Sequence, residues 1–542
     1  MSERVYFDCN ATYGPHQRKH REARWTREHL VADLDLAGIA GALVFHTQCL
    51  EYDPMLSNLR LIEDIAPHRE RLYPCWIALP SMCGEFPGVP EFCRLMAEHD
   101  VRAVRIDAEA FGIPEKESLW GELRDALLAE DRLVIVSSSY GSRTLAHVDR
   151  ILEIFSRNKT LLVGHPWSLW REVVHLMDTY PLLHTEFSSF QANRAVEYFS
   201  ERFGAHRCLF GTGLMAKAPG AARGFLDWTL LPDDQASLIA GANLKRLLGG
   251  AGPSEAPPPG EWHDDITKAA RAGCPLPCLA LDAHCHILHR GGHTLGGARI
   301  AHKGDADGMI ELTRRAGIDR TAIMSWAGPL SMDTDFGNEV VADAVRSYPE
   351  EFVGLATINP EHQSEEEIEE VIRTYHIGLR FPGLKTFAPG QNLTYDDPAF
   401  DRWFGFADQH HLYAVIDPGG NLSRDQIASL ARKFPNMGIH LDHCGKSWDY
   451  AKWAVDLILE YPNIRAQINF TLVTNGVVEY LVDRLGADRV LFGTDAPMRD
   501  PRPQVGWLAF TRLKESDKRK VFGENFRDIL DRASAALLAL DG

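Results

Sequence analysis

The chain has 542 residues, 45% of them hydrophobic, and a formal net charge of −18. That length and apolar content suffice for at least two buried cores, while the negative charge argues against the cationic face that nonspecific nucleic-acid binding needs. No apolar run approaches the roughly 20 residues that span a bilayer, so no membrane partner is expected.

From the N-terminus, Met1-Ser-Glu-Arg4 lacks the basic-then-apolar plan of a signal peptide. Apolar runs suited to buried strands then fall at 5–10, 40–46, 73–79, 101–107, 132–138, 160–165, 182–188 and 207–212. A Gly- and Pro-rich stretch at 251–277 reads as a semi-stiff linker, with a short helix expected around 265–272. A second series of runs follows at 278–286, 320–327, 352–359, 378–387, 412–417, 437–443, 464–470 and 489–494. Helical patterns such as Ser364-Glu-Glu-Glu-Ile-Glu-Glu-Val-Ile-Arg373 separate most of them. Eight strand–helix alternations in about 250 residues are the plan of a (β/α)8 barrel. The expected class is therefore α/β, as two tandem (β/α)8 TIM-type barrels: 1–250, the linker 251–277, and 278–542. Ten cysteines without a Cys-x-x-Cys pair fit reduced thiols and a cytoplasmic location.

The two halves repeat each other. Cys208-Leu-Phe-Gly-Thr-Gly213 matches Val490-Leu-Phe-Gly-Thr-Asp495, and Phe7-Asp-Cys-Asn10 matches Leu281-Asp-Ala-His284. Asn58 and Asn338, Arg105 and Lys385, and Ser137 and Asp417 are each 280 residues apart; His165 pairs with His443 at 278, and Asn243 with Asn525 at 282. So steady an offset marks a domain-sized duplication. The first copy carries Asn10, Thr12 and Gly213 where the second has His284, His286 and Asp495. Its chemistry is expected to be lost.

Active sites of such barrels lie at the C-terminal ends of the strands. Asp282, His284 and His286 alternate along one strand and so share a face. Asp417 ends the fifth strand, His443 the sixth, and Asp495 follows the eighth. Imidazoles with carboxylates suit one divalent ion, with zinc placed first and manganese or iron as alternatives.

Asp282-Ala-His-Cys-His286, His443, Gly493-Thr-Asp-Ala-Pro497, Asn359-Pro360 and Glu524-Asn-Phe-Arg-Asp-Ile-Leu530 together resemble the amidohydrolase superfamily. The resemblance is to its amidohydrolase-related branch of aromatic-acid decarboxylases, lactonases and hydrolases. It covers 278–535 and, eroded, 4–250. It implies that His284 and His286 bind metal, that Asp495 is a ligand or proton shuttle, and that His443 is a general acid or base. It also implies that Asp282 orients an imidazole from behind. Many members have a histidine where this chain has Asp417. If Asp417 binds, the harder donor set tilts toward manganese or iron; if it does not, a metal-free site stays open. Lys385, joined by Arg380, would bind a substrate carboxylate, or Lys385 simply pairs with a neighbouring acid. Of His440 and Asp442, one is expected to pack or to orient a helix.

The leading expectation is a metal-dependent hydrolase acting on an amide, lactone or related bond of a small carboxylated or aromatic molecule. Non-oxidative decarboxylation at the same site is the alternative; a metal-independent lactonase or a binding protein comes after it. The first half would serve as the covalent partner in an intramolecular pseudo-dimer, with further homo-oligomerisation left open.

Overall fold

The computed structural model describes the chain except residues 1–3, 17–19, 140, 259, 261, 292–293, 296–298, 419–423 and 542. It divides into two units, Met1–His263 and Asp264–Gly542. Each contains one eight-stranded sheet whose strands follow chain order, with every neighbouring pair parallel.

In the first unit the strands are β1 (Phe7–Tyr13), β2 (Gly41–His46), β3 (Leu72–Ile77), β4 (Ala103–Ile106), β5 (Leu133–Ser137), β6 (Thr160–Val163), β7 (Leu183–Glu186) and β8 (Cys208–Leu209). In the second they are β9 (Leu281–Ile287), β10 (Arg320–Ser325), β11 (Phe352–Ala356), β12 (Gly383–Lys385), β13 (Tyr413–Ile416), β14 (Gly438–Leu441), β15 (Ile464–Ile468) and β16 (Val490–Phe492). Every expected strand forms. They read as near-continuous apolar runs because helices cover the outer face of a parallel sheet. Most are shorter than the runs. The 378–387 run keeps only β12, since residues 372–378 wind into a helix and Arg380 takes a left-handed φ of 58°.

Closure is made by the segment after the last strand of each unit. Cys285 bridges Ala496 in the second unit. In the first, Cys9 N donates to Phe210 O (2.9 Å) and Thr12 N to Leu214 O (2.6 Å). Helix starts are capped locally: Asp305 accepts from Gly308 N, and Ser364 forms a reciprocal capping box with Glu367. A helix at Asp265–Arg271 precedes β9. The floor of the second barrel is plugged by Phe526, Ile529 and Leu530 of the C-terminal helix Asn525–Leu538, packed on Leu281, Leu355 and Tyr413. Leu244, Leu247 and Leu248 do the same on Phe7 and Leu133 in the first. Among the described residues no helix is long and apolar enough to cross a membrane.

The duplication reaches single hydrogen bonds. Asn58 exchanges two with Ile77 (3.0 and 2.9 Å), and Asn338 two with Thr357 (both 2.9 Å). Asn243 Nδ2 donates to Ala205 O and Cys208 O, and Asn525 Nδ2 to Ala487 O and Val490 O. These amides tie connecting segments to strands, and both copies have kept them.

Candidate metal centre

At the mouth of the second barrel, His284, His286 and Asp495 bring three donor atoms together. His284 Nε2 lies 3.4 Å from His286 Nε2 and 3.7 Å from Asp495 Oδ1, and His286 Nε2 lies 3.3 Å from the same oxygen. All three residues are buried. β9 supplies both imidazoles from one face, and the turn after β16 supplies the carboxylate through a left-handed Asp495 (φ 57°).

The tautomer of His284 follows from its neighbours. Its Nδ1 faces two acceptors, Gln467 Oε1 at 2.9 Å and Asp442 Oδ1 at 3.2 Å. Gln467 cannot usefully turn its amide, because its Nε2 donates to Ala283 O at 3.0 Å. Nδ1 therefore carries the proton, and the Nε2 lone pair points at the trio. Burial lowers the pKa of His284, but the Asp442 carboxylate more than reverses this and it ends above its ordinary value. Burial takes His286 down to about 4, which keeps it neutral. Asp495 lies well below the usual carboxylate range: burial opposes ionisation, but the Arg499 guanidinium bonded to Oδ2 overcomes it. Oδ1 of Asp495 is buried without a hydrogen-bond donor. A buried anionic oxygen without a donor beside two imidazole nitrogens fits a divalent cation.

A second group joins Asp417, Asp442 and His443. His443 Nδ1 lies 3.0 Å from Asn469 Oδ1 and 3.3 Å from Asp442 Oδ1, while its Nε2 faces Asp417 Oδ2 at 3.8 Å. Asn469 is held in turn, donating Nδ2 to Asp442 Oδ1 at 2.8 Å. Asp442 also receives Lys385 Nζ at 3.2 Å. Burial works against its ionisation, yet His284, His443 and Lys385 hold it well below the ordinary value.

The expected residues divide accordingly. His284, His286 and Asp495 meet; Asp417 groups with Asp442 and His443 rather than with that trio. Lys385 pairs with a neighbouring acid. Asp282 touches no imidazole ring nitrogen: it accepts from His284 N (3.0 Å), Thr494 N (3.0 Å) and Thr494 Oγ1 (2.5 Å), bracing β9 against the turn that carries Asp495. Burial raises it to about 7. Arg380 does not reach the mouth. It precedes β12, at the opposite end of the barrel, and donates to Leu537 O at 2.7 Å. Asp442, Gln467, Asn469 and Arg499 were not anticipated as site residues. The strand alternation that groups His284 with His286 also groups Gln467 with Asn469, and this signal was available in the sequence.

In the first barrel the same frame encloses different chemistry. Asp8 braces β1 to Thr212, as Asp282 braces β9 to Thr494. Asn10 Nδ2 meets Glu186 Oε1 at 3.3 Å, in the manner of His284 and Gln467. Glu186 is further satisfied by Gly164 N (2.9 Å) and Ser188 Oγ (2.9 Å). A Cβ on Gly213 would lie 3.1 Å from Lys217 Cδ and 3.3 Å from Ser188 Oγ, so those side chains fill the space that an aspartate would need. Lys217 Nζ donates to Ser188 O and Ser189 Oγ, and burial lowers it to about 8. The repeat also slips by one residue from the expected pairing. Gly164 (φ 78°), not His165, shares the left-handed backbone of His443 (φ 59°). Among the described residues no cluster of three potential metal ligands occurs in this unit.

A TIM-type barrel with a buried histidine–carboxylate trio at its mouth is the class that fold and geometry define. The second unit is an amidohydrolase domain: the amidohydrolase family profile matches residues 281–532. The gamma-resorcylate decarboxylase of Rhizobium sp. (strain MTP-10005) is 24% identical over 239 residues, which is 35% of this chain and 73% of that protein. Among solved structures, an uncharacterized TIM-barrel protein from Bordetella bronchiseptica is 18% identical, covering 47% of this chain and 99% of that chain with a TM-score of 0.39. The 2,6-dihydroxybenzoate decarboxylase from Rhizobium is 18% identical, covering 49% and 100% with a TM-score of 0.38.

Proposed function

We propose that the second barrel catalyses non-oxidative decarboxylation of a small hydroxylated aromatic carboxylate, using one divalent cation held by His284, His286 and Asp495. The observation that carries this reading is the donor trio, with its unsatisfied Asp495 Oδ1, set beside a histidine positioned for proton transfer. The relatives named as gamma-resorcylate decarboxylases favour it over hydrolysis, the leading expectation from sequence. Two imidazoles and one carboxylate suit zinc as well as manganese.

When bound, the cation polarises a substrate oxygen and holds the ring in place. His443 carries the proton. Asp442 and Asn469 fix its Nδ1 side, leaving Nε2 to give a proton to the ring carbon that bears the carboxylate. The bond to the carboxylate carbon then breaks, its electron pair restores the aromatic ring, and carbon dioxide leaves. One proton has replaced one carbon dioxide. Asp417, 3.8 Å from Nε2, resupplies the proton from the mouth. Lys385 adds positive charge beside Asp442, and Arg499 keeps Asp495 ionised. The first barrel, with its site filled by its own side chains, takes no part in the chemistry.

The test is the full-length protein, with zinc or manganese supplied, on a panel of hydroxybenzoates. Carbon dioxide should be released, and in deuterium oxide one deuterium should enter the vacated ring position. H443N should lower kcat by about 10²–10⁴-fold, and D495N should remove both metal and turnover. Cleavage of amides or lactones with no carbon dioxide from any hydroxybenzoate would return the assignment to hydrolysis.

A further inference from the structure

The opposite end of the second barrel holds a polar cavity of about 370 Å³, within the size range of small-molecule sites. His411, Gly438, Asn463, Arg465 and Arg532 contribute to its wall. Arg465 begins one face of β15, and Arg532 lies on the plugging helix Asn525–Leu538. Among the described residues neither guanidinium has a carboxylate within ion-pair distance. Arg489 stands nearby, its own donors spent on the carbonyls of Ile458, Tyr461 and Ile464. The acid seen beside this wall, Asp408, is taken up by Asn436 N, Asn436 Nδ2 and Met437 N.

Positive charge without a counter-charge is unusual on a chain whose net charge is −18. Burial and then the like charges of Arg489 and Arg532 depress the Arg465 pKa, so the three cations feel one another. A second, independent feature points the same way. His440 is fully buried, neither of its ring nitrogens has a partner, and its Nε2 lies 3.8 Å from where a Cβ on Gly438 would be. An unsatisfied imidazole therefore lies behind Gly438, one of the residues of the cavity wall. An anion in the cavity would neutralise the guanidiniums and offer oxygen acceptors to Arg465 and Arg532, as phosphate and carboxylate oxygens do.

We propose that the floor of the second barrel is a binding site for a small oxyanion, a phosphate or a compact dicarboxylate, held by Arg465 and Arg532 and distinct from the metal centre at the mouth. The site is independent of the reaction proposed above. Its test uses full-length protein titrated calorimetrically with inorganic phosphate in one arm and malonate in the other, at ionic strength held constant with chloride. At least one of the two should bind saturably, and the arm that binds names the ligand chemistry. R532Q, on an exposed helix position, should weaken binding by about tenfold or more, the loss expected from one charge-assisted hydrogen bond; R465Q should do the same. D495N should leave the affinity unchanged, because an anion seated on the metal would be lost with it. Absence of saturable binding in both arms, or an affinity that R532Q and R465Q leave intact, or one that D495N abolishes, would overturn the assignment.

Discussion

Asp442 is the residue on which both halves of the site depend. One carboxylate meets His284 Nδ1, His443 Nδ1, Lys385 Nζ and Asn469 Nδ2, all within 3.3 Å. It sets the tautomer of one imidazole and anchors the ring of the other. D442N keeps the shape and removes the charge. Its kcat should fall by about 100-fold or more, since general acid catalysis by histidine contributes that much, while bound metal persists; turnover and elemental analysis on the same sample check both. Q467L removes the second acceptor at His284 Nδ1 and leaves the protein's charge unchanged. Metal affinity should drop about 10–100-fold, the cost of losing a partner behind a metal-binding histidine, as read by competition with a chelator. If either variant retained full activity and full metal affinity, the anchoring role assigned to these side chains would be wrong.

At the scale of elements, the paired asparagines show what duplication preserves. Asn338 lies on the helix Thr334–Ser347 and ties it to the segment after β11; Asn58 lies on the helix Pro54–Ile65 and ties it to the end of β3. Both are buried. Replacing either by alanine strands a buried backbone N–H and C=O, at a cost of about 2–4 kcal/mol. N58A and N338A share no partner, so their costs should add in the double variant. Urea unfolding curves of the three variants test this, and a double variant no worse than either single one would refute it. The strands show the opposite behaviour. Their backbone register survives in both copies, while the side chains at their C-terminal ends have diverged from histidine and aspartate to asparagine, threonine, serine and glycine.

For the molecule as a whole, the emptied first site gives it an acid sensitivity. His165 is buried beside Lys217, and burial first, then that cation, takes its pKa from the usual 6.5 down to about 3. Between those values the unfolded chain binds the proton and the folded one does not, so stability rises with pH across that window and is lost as the solution is acidified. From pH 7 to pH 5 this amounts to on the order of 2 kcal/mol. H165Q should lessen the acid loss by that amount, measured by denaturant unfolding at the two pH values, while His46, His184 and His376, which burial also takes down to about 4, supply the rest. Asp8 acts in the other direction: burial raises it from 3.8 to about 6, so its contribution is present below the ordinary value and lost as pH rises through about 6. The comparison of H165Q with the parent protein isolates the histidine. An unchanged acid loss in H165Q would show that another group controls it.

The sequence by itself determined the two barrels, their eight strands each, the duplication, and the three side chains that meet at the mouth of the second barrel. Strand alternation, the position of a residue at a strand end and a constant offset between copies are local, one-dimensional patterns, and they survive being read without coordinates. Only the tertiary structure decided which charges meet. Asp442 lies next to His443 in sequence, but its value comes from Lys385, 57 residues away, and from His284. Arg380 and Lys385 are five residues apart, yet the short β12 sends them to opposite ends of the barrel. Closing eight strands into a ring brings together residues from distant parts of the chain, and the electrostatics of the site are set across that ring rather than along it.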